Sequence, residues 1–154
     1  MILYLGQHAE AKSKEVDEKR DLTAKGRDDI EVVSHHLKRL NVEVQEIFHS
    51  GKTRAKTTAQ ILAQHFQPPR GLTAAPGLAP LDDPEIWAAR LAAMEGNIFL
   101  VGHLPHLSKL AALLMTGDKN KTVINFQMAS VVQLRRMEPE QWAVDWMIVP
   151  AIIL

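Results

Sequence analysis

The sequence predicts an α/β fold: a three-layer α/β/α sandwich with a mainly parallel sheet and an antiparallel hairpin at its C-terminal edge. Short continuous apolar runs, Ile2 to Gly6 and Ile98 to Gly102, have the length of strands buried on both faces. They alternate with longer segments whose apolar residues recur at helical spacing, which is the pattern of βαβ units. After Gly117 the alternation stops, and two β-type runs flank Met137-Glu138-Pro139-Glu140, as in a hairpin.

The elements follow in order. After the strand at 2–6, residues 9–22 are dense in charge and lack an apolar period, so they read as a loop that follows the first strand end. Thr23 can cap a helix with Ile30, Val33, Leu37 and Leu40 on one face. A strand at about 44–49 leads to a helix over 53–66, with Ala55, Ala59, Leu62 and Phe66 in a stripe and Pro68-Pro69 as its stop. Residues 67–83 are loop with a short strand near 72–75, and Pro84 suits the first position of a helix capped by Asp83. That helix carries Trp87, Leu91 and Met94 on one face and ends at Gly96. The strand 97–102 precedes a helix with Leu107, Leu110, Ala111 and Leu114, closed by Gly117. In the hairpin strands at 129–135 and 142–149, Trp142, Val144, Trp146 and Ile148 alternate against Ala143, Asp145 and Met147, which predicts one apolar face.

With 154 residues the chain has the size of one domain, 1–154. Eighteen Lys and Arg balance eighteen Asp and Glu, so the total charge gives no reason to expect a nucleic-acid partner. Without cysteine there is no disulfide scaffold, thiolate nucleophile or thiolate metal site. The N-terminus lacks the regions of a secretory signal, and no apolar stretch approaches the ~20 residues of a membrane span. The expectation is a cytoplasmic protein with no membrane partner, its apolar tail Ile148 to Leu154 completing a core or an interface.

Two strand-like runs end in histidine: Gly6-Gln7-His8 and Gly102-His103. Ligands of open α/β sheets bind beyond the carboxyl ends of the strands, so these imidazoles can converge. Arg54 falls in the first turn of the helix after a third strand. The helix dipole disfavours a cation there, so its position makes sense beside an anion. Leu104-Pro105 starts the last helix, and its backbone N–H groups would favour an anion beside His103. Ser50 is a capping or turn residue whose hydroxyl can also reach phosphate. Two imidazoles and a guanidinium at one sheet edge suggest phosphate chemistry. His103, His106 and His8 also allow a metal-dependent hydrolase, with His106 taken as exposed, although no carboxylate motif accompanies them.

The segments resemble the histidine phosphatase superfamily. Gln7-His8-Ala9 stands where that family has Arg-His-Gly or Arg-His-Ala; Leu22-Thr23-Ala24-Lys25-Gly26 is similar to its Leu-Thr-x-x-Gly. Ser50 to Ala59 resembles Ser-Pro-x-x-Arg-Ala-x-x-Thr-Ala, and Val101-Gly102-His103-Leu104-Pro105 the second histidine motif. The short chain and its tail look most like the SixA-type phosphohistidine phosphatases. The resemblance implies that His8 attacks phosphorus as a neutral imidazole and carries a covalent phosphoryl group, without metal or organic cofactor. Arg54 and His103 would neutralise the phosphoryl oxygens, with Gln7, Ser50 and Arg20 as further phosphate-binding candidates. Asp82 and Asp83 fall where larger members carry an acid-bearing loop, so either is a candidate general acid, while Asp83 before Pro84 is also a good helix cap. Glu10 could orient His8. The implied partners are a phosphorylated, phosphohistidine-bearing protein or a small phosphorylated substrate, with inorganic phosphate as product.

The departure is Gln7. Glutamine donates hydrogen bonds but lacks the charge and the bidentate fork of arginine. Two outcomes follow: a phosphatase in which Lys52, Arg20 or a cation on the substrate compensates, or a pseudophosphatase that binds phosphorylated protein without turnover.

Overall fold

The computed structural model describes residues 1–138 and 141–153, so Pro139, Glu140 and Leu154 lie outside the described residues. The six-stranded sheet comprises β1 (Ile2–Gln7), β2 (Glu46–His49), β3 (Leu72–Ala74), β4 (Asn97–Gly102), β5 (Val131–Glu138) and β6 (Gln141–Ile148), in the spatial order β3-β2-β4-β1-β5-β6. The pairs β3/β2, β2/β4 and β4/β1 are parallel, and β1/β5 and β5/β6 are antiparallel. The helices are α1 (Ala24–Arg39), α2 (Thr53–Phe66), α3 (Pro84–Ala93) and α4 (His106–Thr116). This is the α/β architecture expected from the sequence, with the hairpin on the edge.

The chain moves from β1 through β2 to β3 in one direction along the sheet and returns through β4 to β5. Right-handed crossovers then place α1 and α2 on one face and α3 and α4 on the other. The two cores follow this division. Tyr4, Ile47, Phe99 and Val101 pack with Ile30, Val33, Leu37, Ala59 and Leu62, while Leu3, Leu5, Ile98 and Leu100 pack with Trp87, Leu91, Leu107 and Leu110. Neighbouring strands β1 and β4 send their connections to opposite sides of the sheet, which opens a crevice at their carboxyl ends. His8 and His103 follow those two ends.

The helix boundaries follow local chemistry. Thr23 caps α1, its hydroxyl accepting from the Gly26 N–H at 2.9 Å, and Asp83 caps α3 by accepting from the Glu85 N–H at 3.0 Å. Helix α3 stops at Ala93, short of Gly96, and β2 starts at Glu46. Gly96 instead turns the chain into β4 against Gln45.

The hairpin corrects one expectation. Gln133 pairs with Trp146 and Leu134 with Val144, so Asp145 is an extra residue in β6, its carboxylate bound by Gln133 Nε2 and Arg135 Nε. A bulge shifts the two-residue period by one. Trp142 and Met147 therefore join the α3/α4 core, and Trp146 and Ile148 the α1/α2 core, instead of sharing one face. In the tail, Ile153 packs against the α1/α2 core while Ile152 is exposed.

Gly26 faces the backbone of Glu10 so closely that a Cβ would lie 2.2 Å from its carbonyl oxygen. Gly26→Ala is therefore expected to cost about 1–3 kcal/mol, as overpacking against unyielding backbone does, read as a lower urea midpoint. An unchanged midpoint would show that α1 can back away from the loop after His8.

Candidate active site

Four elements hold the backbone where it leaves β1. The His8 N–H donates to the Gly102 carbonyl at the end of β4 (3.1 Å), and the Ala129 N–H, ahead of β5, is shared by the Gln7 and His8 carbonyls (3.1 and 3.2 Å). From α2, Thr58 Oγ1 accepts the Ala9 N–H at 3.0 Å while donating to the Arg54 carbonyl at 2.8 Å. Ahead of α1, the Thr23 N–H donates to the Glu10 carbonyl at 3.0 Å, and the Thr23 hydroxyl lies 2.7 Å from Glu10 Oε2. The Glu10 carboxylate is thus occupied by Thr23, and the His8 ring is oriented by a backbone group instead.

That group is the Ala9 carbonyl, 2.7 Å from His8 Nδ1. A carbonyl only accepts, so Nδ1 carries the proton and, in the neutral ring, Nε2 is the nitrogen with a free lone pair. Burial holds the His8 pKa below the ordinary histidine value; Arg54 and Arg20 push it further down, against the opposing pull of the Ala9 hydrogen bond. The ring faces His103, with centroids 5.1 Å apart. His103 is buried; desolvation first, then the repulsion that His8 would exert if protonated, then Arg54, Lys52 and any proton on His106 hold its pKa down at about 3. Ser50 Oγ lies 2.6 Å from His103 Nε2.

Arg54 sits in the first turn of α2, its Nε buried without a partner among the described residues. Burial and then the charge of Arg20 lower its pKa. Arg20 belongs to the 9–22 loop, which is folded and not loose: Ala11 bridges Leu22, the Lys12 N–H donates to the Asp21 carbonyl, and Arg20 adopts a φ of 53° with Nε on the Lys12 carbonyl. Asp21 ties this loop to α2 through Thr57 Oγ1 at 2.7 Å. The charges acting on His8, Arg54 and His103 are all cationic. Such a crowd of like charges over neutral imidazoles suits an anion.

The remaining candidates are placed as follows. Gln7 ends β1 with its Oε1 buried and without a partner among the described residues, beside a cavity of about 530 Å³ also lined by Glu10, Lys25, Asp29 and Phe126. Asp83 caps α3, and Asp82 Oδ2 accepts the Ala79 N–H at 2.9 Å. Both carboxylates act on His106. His106, taken as exposed from the sequence, is fully buried at the start of α4 because that turn faces the α3/α4 core. Among the described residues no three His, Cys, Asp or Glu side chains converge as metal ligands do. No helix among them is long and apolar enough to cross a membrane. Sequence reading gave no role to Thr58, although it lies one turn beyond Arg54 on the same helix face, which is the signal that could have found it.

No family model matches the chain. An uncharacterized protein of Picosynechococcus sp. is 31% identical over 142 residues, covering 88% of this chain and 85% of that one. The phosphohistidine phosphatase SixA of Escherichia coli (strain K12) is 27% identical over 136 residues, with 85% and 84% covered. Among solved structures, the protein histidine phosphatase SixA complexed with tungstate superposes with a TM-score of 0.88 at 22% identity over 98% of both chains. A mycobacterial glucosyl-3-phosphoglycerate phosphatase complexed with VO3 gives 0.74 at 16% identity over 94% and 97%. In fold, and at 27% identity in sequence, the chain is similar to phosphatases of the histidine phosphatase superfamily. Within it, the resemblance is to the SixA-type members and runs along nearly the whole length.

The buried imidazoles make the fold sensitive to mild acid. His8, His49, His103 and His106 all have pKa values lowered in the fold. The unfolded chain therefore binds more protons than the folded one, starting near the ordinary histidine pKa of about 6.5. Their stabilising effect is complete above that value and is lost as pH falls through the folded-state pKa values, down to about 3 for His103. Urea midpoints should already drop between pH 7 and pH 5, above the range where the carboxylates titrate; equal midpoints would contradict the neutral-histidine site.

Proposed function

We propose that this protein is a phosphohistidine phosphatase that removes the phosphoryl group of a protein histidine through a covalent phospho-His8 intermediate, acting in the cytoplasm. The observation that carries this reading is the Ala9 carbonyl on His8 Nδ1, which leaves Nε2 unprotonated beside His103 and within the field of Arg54 and Arg20. In the first step, Nε2 forms a bond to phosphorus as the bond from phosphorus to the substrate nitrogen breaks. The departing imidazole leaves neutral when its other ring nitrogen carries a proton, so a dedicated carboxylic acid is less necessary than for an alkyl ester. The proton stays on Nδ1, which donates it to the Ala9 carbonyl, and this hydrogen bond steadies the phosphorylated ring. In the second step, water bonds to phosphorus, the bond to Nε2 breaks, the water proton leaves with phosphate, and neutral His8 returns.

Arg54, His103 and Ser50 would hold the phosphoryl oxygens, with Arg20 reaching from the folded loop and Gln7 offering its amide N–H groups. Asp82 and Asp83 remain the candidates for protonating an ester leaving group, after release from their backbone partners. A small phosphorylated substrate fits the same chemistry.

One observation favours a second reading. Gln7 supplies no positive charge where the superfamily motif has arginine, so a pseudophosphatase that binds phosphorylated protein without turnover is the competing outcome.

His8→Ala should abolish hydrolysis of a phosphohistidine peptide and its labelled phospho-enzyme; undiminished turnover would refute the nucleophile. Gln7→Arg, with the cavity beside it giving room for the longer side chain, should raise turnover by about 10²-fold, the scale of one preorganised oxyanion donor. Wild type that binds phosphopeptide but traps no phospho-enzyme would establish the second reading. Saturating chelator should leave the rate unchanged, and loss of activity would revive metal-assisted hydrolysis.

A further inference from the structure

We propose that His49 is the positioning residue that holds Ser50 against His103. This rests on the reading above, in which Ser50 and His103 bind the phosphoryl group. His49 ends the four-residue strand β2 as a buried imidazole that the mechanism leaves without a task. Its Nδ1 accepts the Gly51 N–H at 3.0 Å. A backbone N–H only donates, so Nδ1 is unprotonated and the ring proton sits on Nε2.

The turn from β2 into α2 has few other supports. Gly51 is exposed with a φ of +89°, and a Cβ there would meet nothing within 4 Å, so no packing restrains it. Inside the turn the Lys52 N–H reaches Ser50 Oγ at 3.3 Å, a long bond. Ser50 itself stands between His49 and Gly51, the two residues that the imidazole joins. Tying Gly51 back to His49 fixes the backbone on both sides of Ser50 and directs Oγ to His103 Nε2 at 2.6 Å. The sequence explains why an imidazole serves: its acceptor must reach two residues ahead from a strand end while the rest of the ring fills a buried position.

The environment keeps that nitrogen an acceptor. In the sheet, the register partners of His49 are Ala74 on β3 and Val101 on β4, neither of which titrates. From α2, the charge of Lys56 acts on the ring and, after burial, holds its pKa below the ordinary value. His103 lies beyond Ser50 and is itself held neutral. A proton on His49 Nδ1 would set donor against donor at Gly51 and release Ser50.

The test compares His49→Leu, His49→Asn, Ser50→Ala and the His49→Leu/Ser50→Ala double variant in kcat and KM on a phosphohistidine peptide. Asparagine Oδ1 falls close to the place of Nδ1, accepts the same N–H and does not titrate. His49→Leu should lower kcat/KM by about tenfold, the worth of one positioned hydrogen bond, and His49→Asn should recover most of it. In the Ser50→Ala background His49→Leu should cost nothing more, because the two act as one unit. A His49→Asn enzyme as slow as His49→Leu, or losses that multiply in the double variant, would overturn the proposal.

A readout that needs no turnover separates this from failure of the phosphatase reading. The Gly51 amide resonance should move with the titration of the His49 ring in wild type and stay flat with pH in His49→Asn. A Gly51 amide that ignores the His49 titration overturns the role of His49 whatever the activity. Inactive wild type with the coupled titration intact overturns the phosphatase reading alone.

Discussion

The structure depends on how the backbone of Gln7–Glu10 is fixed as it leaves the sheet. β4, the bend before β5, α2 and the start of α1 each contribute a hydrogen bond to these four residues. One such bond is worth only about 1 kcal/mol net, but bonds from four directions leave the segment one conformation. Three of the four contributions also have a sequence reason: Gly102 ends the strand paired with β1, Thr58 stands one turn beyond Arg54, and Gly26 removes the side chain that would hold α1 away from Glu10. Motif residues such as Thr58 and Gly26 therefore serve the placement of His8, whose position a reaction at its ring would need to within about an ångström.

The same fixation makes the site costly. Polar atoms are ordinarily paired when buried, yet Gln7 Oε1, Arg54 Nε and His103 Nδ1 lack partners among the described residues, as do Ser34 Oγ and both ring nitrogens of His106. Cations gather at the site over imidazoles that burial keeps neutral. Unpaired buried polar atoms and crowded like charges both cost the fold stability. Gln7 adds no positive charge next to His8, so it does not add to the repulsion among the cations there.

Much of the architecture was legible because the signals are local. Apolar runs of strand length mark β1 and β4; Thr23 and Asp83 mark helix starts; Gly117 marks a helix end in the left-handed conformation. The candidate site was legible where strand ends and motifs coincide, at His8, His103 and Arg54. The hairpin misled because a single extra residue, Asp145, inverts the faces of everything beyond it, and a bulge leaves the pattern of apolar residues unchanged. His106 misled for a related reason: its helix position was clear, but which side of the first turn meets the core is set by α3 and the loop before it.

The amino-acid sequence by itself determined the α/β class, the order of elements, the neutral overall charge and the residues available for phosphoryl chemistry, because these follow from composition and short-range periodicity. Only the tertiary structure decided which nitrogen of His8 is free, that Glu10 serves Thr23 and not the nucleophile, that Asp21 binds the Arg20 loop to α2, and that His49 reaches Gly51. The physical reason is that proton placement and charge depend on what surrounds a group in space. At this site most of those neighbours come from other elements of the chain.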